Sequence, residues 1–170
     1  MKKITFNILL GITLIAFFTS CLQSSIDTSV PSYEEEQAIL KAYIDTLIQN
    51  DRDVDTTELG VFYVVMEEGE GEKAKMGDTL TVGYSGYFVD GILFESSEWY
   101  NSNDGTYEFI LGNPPMILGW DDAMKVMNKN AKIQFIVPSA LAYGGEGEGA
   151  IPPYTTLIFV IKMVDIKPTI

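Results

Sequence analysis

The chain has no histidine and one cysteine, Cys21, in 170 residues. Without imidazole, Ser-His-Asp triads, Cys-His dyads, HExxH zinc sites and histidine proton shuttles are all excluded. A lone cysteine cannot close an internal disulfide. Basic residues are scarce too: 11 Lys and Arg stand against 24 Asp and Glu, for a formal charge of −13 at pH 7. A surface this acidic repels phosphate backbones, which excludes nucleic acid as a partner. The acidic stretches 67–72 and 146–148 read as solvated loops and not as calcium sites, so no metal or cofactor is expected. The chain has no internal repeats, and its longest apolar run, residues 8–18, is too short to span a bilayer comfortably.

What is present begins with a leader. Lys2 and Lys3, then the apolar run, then Thr19-Ser20 follow the order of a secretory signal over residues 1–20. Phe18-Thr19-Ser20-Cys21 resembles a bacterial lipobox, with Phe18 where leucine is usual. That resemblance implies lipidation at Cys21 and a membrane anchor. Leu22 after the cysteine carries no retention signal, which implies the outer membrane, facing the periplasm. The alternative is an ordinary signal peptide with an incidental cysteine.

Residues 21–32 are polar and Ser-rich, a flexible tether. Ser32 and Glu35 then read as a capping box. Leu40, Tyr43, Ile44, Leu47 and Ile48 form one apolar stripe, predicting an amphipathic helix over Tyr33–Gln49. The stripe either packs on the domain that follows or serves as a homodimer or partner face. With the acidic linker 50–59 it makes up a segment 33–59, ahead of a domain over 60–170.

In that domain the apolar period changes from 3.6 to 2. Strands are predicted at 61–66, 79–88, 92–95, 107–111, 131–137 and 156–165, with a hairpin at Asp90-Gly91. Residues 67–77 and 96–105 read as loops, and 138–155 as a long glycine-rich one. The central stretch is 107–120. Tyr107, Phe109 and Leu111 alternate with Glu108 and Ile110, and Gly112-Asn113-Pro114-Pro115 ends the strand. Trp120, Ala123, Met124 and Met127 then recur at helical spacing. Asp121 and Asp122 are expected in the first turn of that helix and Lys125 in its last. Asn130 is the residue best suited to a left-handed cap after it. The expected fold is α+β: five or six antiparallel strands wrapped around one short helix, preceded by the N-terminal amphipathic helix.

Several motifs follow one another in family order: Val82-Gly83-Tyr84-Ser85-Gly86, Asp90-Gly91-Ile92-Leu93-Phe94-Glu95, Phe109-Ile110-Leu111-Gly112 and Met116-Ile117-Leu118-Gly119-Trp120. Leu141-Ala142-Tyr143-Gly144, Ala150-Ile151-Pro152-Pro153 and Leu157-Ile158-Phe159 continue the series. Over about two-thirds of its length the chain resembles FK506-binding-protein-type peptidyl-prolyl cis-trans isomerases. The resemblance implies a pocket walled by Tyr84, Phe94, Phe109, Met116, Ile117, Tyr143 and Phe159 and floored by Trp120. It implies that the Ile117 N–H and the Tyr143 hydroxyl hold the ligand's carbonyls, and that Ala150 and Ile151 contribute to the rim. Glu95 stands where the family carries aspartate, and Ala150 where it carries a larger aliphatic. The implied partners are proline-containing polypeptide clients and FK506-like macrolides.

The residues are compatible with that chemistry. An X–Pro bond turns over a barrier of about 18–20 kcal/mol because its C–N bond is partly double. No nucleophile or proton transfer is needed, only a pocket that favours the twisted amide over the planar one. Each aromatic residue taken singly also fits an ordinary core position, and only their joint spacing favours a site. The competing function is a non-catalytic chaperone or partner-binding module using the same pocket or the N-terminal helix.

Overall fold

The alternating stretch Thr79–Phe88 becomes the strand on which the sheet is built. The computed structural model describes residues 31–101 and 103–169, so the leader, Cys21 and residues 21–30 of the tether lie outside the described residues. Helix α1 spans Tyr33–Gln49, and β1 (Asp55–Thr56), β2 (Phe62–Glu67), β3 (Glu70–Lys73), β4 (Thr79–Phe88), β5 (Leu93–Ser96) and β6 (Tyr107–Ile110) follow. Then come α2 (Leu118–Met124), β7 (Asn128–Lys129), β8 (Lys132–Val137) and β9 (Leu157–Lys167).

The main sheet runs β1-β2-β8-β9-β4-β5, with β6 also on β4, and every pairing in it is antiparallel. Strand β4 lies along β9 for its whole length, from Thr79 opposite Lys167 to Phe88 opposite Leu157. Its other edge is shared, with Thr79–Val82 on β6 and Ser85–Tyr87 on β5. That division brings Tyr84 between the two strands that carry Phe94 and Phe109.

Strands β8 and β9 carry apolar residues on both faces, since each face meets a helix. Ile133, Phe135, Val137, Leu157, Phe159 and Ile161 join Trp120, Ala123 and Met124 of α2 in the main core. Ile136 and Ile158 point the other way and pack on Leu40 of α1. The α1 stripe is therefore spent within the chain, the first of its two predicted uses. Ser32 caps the helix in the expected box: its hydroxyl accepts from the Glu35 N–H at 3.2 Å, and the Glu35 carboxylate from the Ser32 N–H at 2.7 Å.

Several expectations are corrected. The main sheet has seven strands, and residues 67–77 contain β3, paired with β7 in a separate ribbon. All four residues of β3 are exposed, so backbone pairing alone makes it a strand and no apolar alternation marks it. The linker similarly holds β1, whose two residues pair with Tyr63 and Phe62. Helix α2 ends at Met124, with Lys125 as its cap and no basic residue in its last turn. Met127 lies beyond it yet is fully buried. Asp122 is not a surface charge at the helix start: it is buried and pairs with Lys125 Nζ at 2.7 Å. Asn130 does take the left-handed conformation, at φ +67°, one turn later than a helix cap.

Candidate active site

Trp120 sits in the first turn of α2, only 4% exposed, and three rings from three strands meet it. Its ring centroid lies 5.0 Å from Tyr84 (β4), 5.9 Å from Phe109 (β6) and 5.4 Å from Phe159 (β9). Phe94 of β5 continues the chain of rings, edge-on to Phe159 at 5.7 Å. Edge-to-face contacts at these distances are each worth about 0.5–1.5 kcal/mol beyond burial. Two glycines permit this density. A Cβ on Gly86 would come within 2.7 Å of Phe94 Cζ and 3.0 Å of Phe159 Cε1. A Cβ on Gly119 would lie 2.4 Å from Val137 Cγ1 and 3.1 Å from the Leu141 carbonyl oxygen. Gly119 thus lets α2 seat Trp120 against the sheet.

Phe94 also opens onto a cavity of about 290 Å³, lined with it by Glu95, Tyr100, Tyr143, Glu148, Ala150 and Ile151. The predicted residues therefore fall into two joined groups. Tyr84, Phe109, Trp120 and Phe159 form the ring cluster, while Tyr143, Ala150 and Ile151 line the cavity, and Phe94 belongs to both. Ile117 is half-buried against the core at the N-terminus of α2, and its carbonyl accepts from the Trp120 N–H at 2.9 Å. Its own N–H has no acceptor among the described residues, as helix starts leave their first donors free. Met116 is 40% exposed and lines none of these contacts.

The polar edge is organised by Glu95. Its Oε1 accepts hydrogen bonds from Tyr84 Oη and Tyr100 Oη, each at 3.1 Å. Burial, then the Glu95 charge, pushes the Tyr84 hydroxyl far above the ordinary tyrosine range. Burial also raises Tyr143, with the Glu95 and Glu148 carboxylates adding to it. Both hydroxyls therefore stay protonated and act as donors. Tyr143 Oη has no acceptor among the described residues. Nor is there a group of three or more His, Cys, Asp or Glu placed to hold a metal among them.

Sequence reasoning missed Tyr100 and Tyr107. Tyr100 stood in a polar loop, and only the turn Ser97–Trp99 aims it back at Glu95. Tyr107 stacks on Phe109 at 5.6 Å and meets Tyr84 edge-on at 6.2 Å. Its place on the same strand face as Phe109 was the available signal.

A curled antiparallel sheet closed by a short helix, with the ring cluster and the cavity adjoining it at Phe94 together forming an aromatic cup, defines an α+β domain. The family profile for FKBP-type peptidyl-prolyl cis-trans isomerases matches residues 70–164, more than half of the chain, which belongs to that family. FKBP-type peptidyl-prolyl cis-trans isomerase FkpA of Escherichia coli K12 is 37% identical over 69% of this chain and 42% of its own length. Human peptidyl-prolyl cis-trans isomerase FKBP14 is 43% identical over 56% of this chain and 45% of its own. The chain spans less than half the length of these curated relatives. The crystal structure of E. coli FkpA superimposes with a TM-score of 0.68 at 34% identity, covering 80% of this chain and 61% of that one. A peptidyl-prolyl cis-trans isomerase from Pseudomonas syringae pv. tomato DC3000 gives 0.64 at 28% identity, covering 83% of this chain and 99% of that one.

Proposed function

We infer that this chain is a peptidyl-prolyl cis-trans isomerase acting on exported polypeptides. The carrying observation is a ring-lined cavity, joined through Phe94 to the Trp120 cluster and lined by Tyr143, whose hydroxyl has no partner among the described residues; the Ile117 N–H at the start of α2 is a second donor without one. The proline ring enters against Phe94, Ile151 and the Trp120 cluster, and Tyr84, Phe109 and Phe159 complete the apolar wall. Met116 and Ala150 contact residues flanking the proline. Removing water from the amide disfavours its planar, charge-separated form relative to the twisted one. The two donors hold the carbonyls that flank the rotating bond, which is stabilisation realised in the twisted geometry. Glu95 orients Tyr84 and does not exchange a proton. At about 1.4 kcal/mol per tenfold, roughly 5–8 kcal/mol of such preference accelerates rotation on the order of 10⁴–10⁶-fold. The same cavity suits an FK506-like macrolide.

A protease-coupled assay with a short X–Pro peptide tests this directly. Acceleration that Phe94→Ala and Tyr143→Phe diminish without unfolding supports it, and rates equal to the uncatalysed reaction overturn it. The competing reading is a chaperone that holds clients without turning them over, and suppressed aggregation of a proline-free client would support that one.

The leader and Cys21 support export and a lipid anchor in the outer membrane, facing the periplasm. No described helix is long and apolar enough to cross a membrane. Labelling with radioactive palmitate, abolished by Cys21→Ser, tests the anchor. A homodimer through Tyr33–Gln49 has less support, because the apolar stripe of α1 already packs on Ile136 and Ile158.

A further inference from the structure

A second and larger cavity, of about 580 Å³, lies beside the cup. Ile39 of α1, Phe88 and Ile92 of the β4–β5 hairpin, and Ala150, Pro152 and Tyr154 of the long loop line it. Two features place it directly beside the cup. Ala150 lines both cavities. Phe88 on the groove side packs on Phe94 on the cup side, with centroids 5.0 Å apart. The groove exists because α1 is fixed over the loop: the Glu36 carboxylate, also in its lining, is fully engaged by Ser139 and Thr156. The remaining acidic neighbour, Asp90, is exposed at the rim. Ile39 and Ile92 are 49% and 60% exposed, an apolar surface of the kind that marks a binding groove.

We propose that this groove binds an apolar side chain of the same client whose proline occupies the cup, so that α1 supplies an accessory specificity site. The proposal rests on the isomerase reading of the cup. An extended chain advances about 3.3 Å per residue. Because Ala150 lines both cavities, a client leaving the cup over Ala150 reaches the groove within a few residues of its proline. The shared wall at Ala150 favours the client over a second copy of this chain, and Pro31, also in the lining, makes the chain's own residues 1–30 the competing occupant that the test must separate.

The test compares a tetrapeptide X–Pro substrate with nine-residue peptides carrying leucine or serine three residues before or after the proline. The full chain and its Ile39→Glu and Ile92→Glu variants are assayed; both positions are half-exposed and outside the cup. The expected result is a preference for leucine of about tenfold in KM, in one of the two placements. Both variants abolish it while tetrapeptide turnover stays at the wild-type rate. Equal use of leucine and serine peptides by a chain active on the tetrapeptide overturns the proposal. So does a leucine preference that both variants retain, or a variant that slows the tetrapeptide equally. A preference that emerges only when residues 1–30 are removed assigns the groove to the chain's own segment. A wild-type dimer in sedimentation that either variant splits assigns it to a second copy. If the tetrapeptide is not turned over at all, the isomerase reading fails separately. Fluorescence anisotropy of the labelled peptides then decides the groove: leucine-selective binding lost in Ile39→Glu sustains it, and equal binding overturns it.

Discussion

Glu36 in the first turn of α1 holds Ser139, 103 residues away, with both carboxylate oxygens: Oε1 accepts from the Ser139 N–H at 2.6 Å and Oε2 from its hydroxyl at 2.5 Å. Oε1 also accepts from Thr156 Oγ1 at 2.9 Å. Ser139 and Thr156 bracket the loop that carries Tyr143, Ala150 and Ile151, so a residue of the N-terminal helix ties both ends of the loop that edges the cup. Glu36→Ala strands three buried donors, and a loss of about 3–5 kcal/mol is expected. Urea unfolding measures it. Glu36→Gln is expected to be costly too, since its amide NH₂ would face a donor. A loss within 0.5 kcal/mol for both variants, roughly the scatter of surface substitutions, would mean the tie is not stabilising.

Glu95 and Tyr84 are expected to act as a unit. Removing either the carboxylate or the hydroxyl breaks the 3.1 Å bond between them. In a double-mutant cycle of Glu95→Ala and Tyr84→Phe, the effects on kcat/KM are expected to be non-additive by about 1 kcal/mol. Strict additivity would show that Glu95 acts through Tyr100 alone.

Gly86→Ala adds one methyl between Phe94 and Phe159, where the nearest ring carbon lies 2.7 Å from the new Cβ. Overpacking of this kind costs about 1–3 kcal/mol. Because the ring that must move lines the cavity, KM for a tetrapeptide is expected to rise with the loss of stability. A rise in stability would indicate that the rings have room the structure does not show.

Asp122 ties α2 to the segment before β2. Burial alone would raise its carboxyl, but hydrogen bonds from the Lys125 and Thr57 side chains and the Leu59 N–H outweigh it and hold it below its ordinary 3.8. A depressed folded-state pKa gives stabilisation that is complete above about pH 3.8 and is lost as pH falls through the lower folded value. Asp122→Asn is therefore expected to cost about 2 kcal/mol at pH 6, and the gap to the wild type should shrink toward pH 3. Urea midpoints at the two pH values check this, and a pH-independent gap would rule out the carboxylate as its source.

The Tyr143 hydroxyl, raised by burial and by Glu95 and Glu148, stays a donor throughout the neutral and mildly alkaline range. Its contribution to kcat/KM, read as the ratio of wild type to Tyr143→Phe, is expected to be constant from about pH 7 to 9. A ratio that falls toward one across that range would show the hydroxyl ionising.

Much of this was legible because it is local. The absent histidine, the capping box at Ser32 and Glu35, the alternation through Thr79–Phe88 and the helical spacing from Trp120 are written in neighbouring residues, so period and chemistry suffice to read them. The family resemblance, carried by motifs in order, named the rings that meet at Trp120. What escaped depends on partners distant in sequence. The exposed ribbon of β3 and β7 has no apolar period, and Tyr100 reaches Glu95 only because one tight turn reverses the chain.

The sequence by itself determined the residue types available to the site, the helical stripe of α1 and the inward faces of the long strands, since periodicity and side-chain chemistry are properties of the chain. Only the tertiary structure decided that Glu36, read as one acid of a helix start, is a buried tie to Ser139 and Thr156, and that α1 walls a groove beside the cup. A carboxylate's role depends on which donors surround it once solvent is excluded, and those donors come from segments more than 100 residues away.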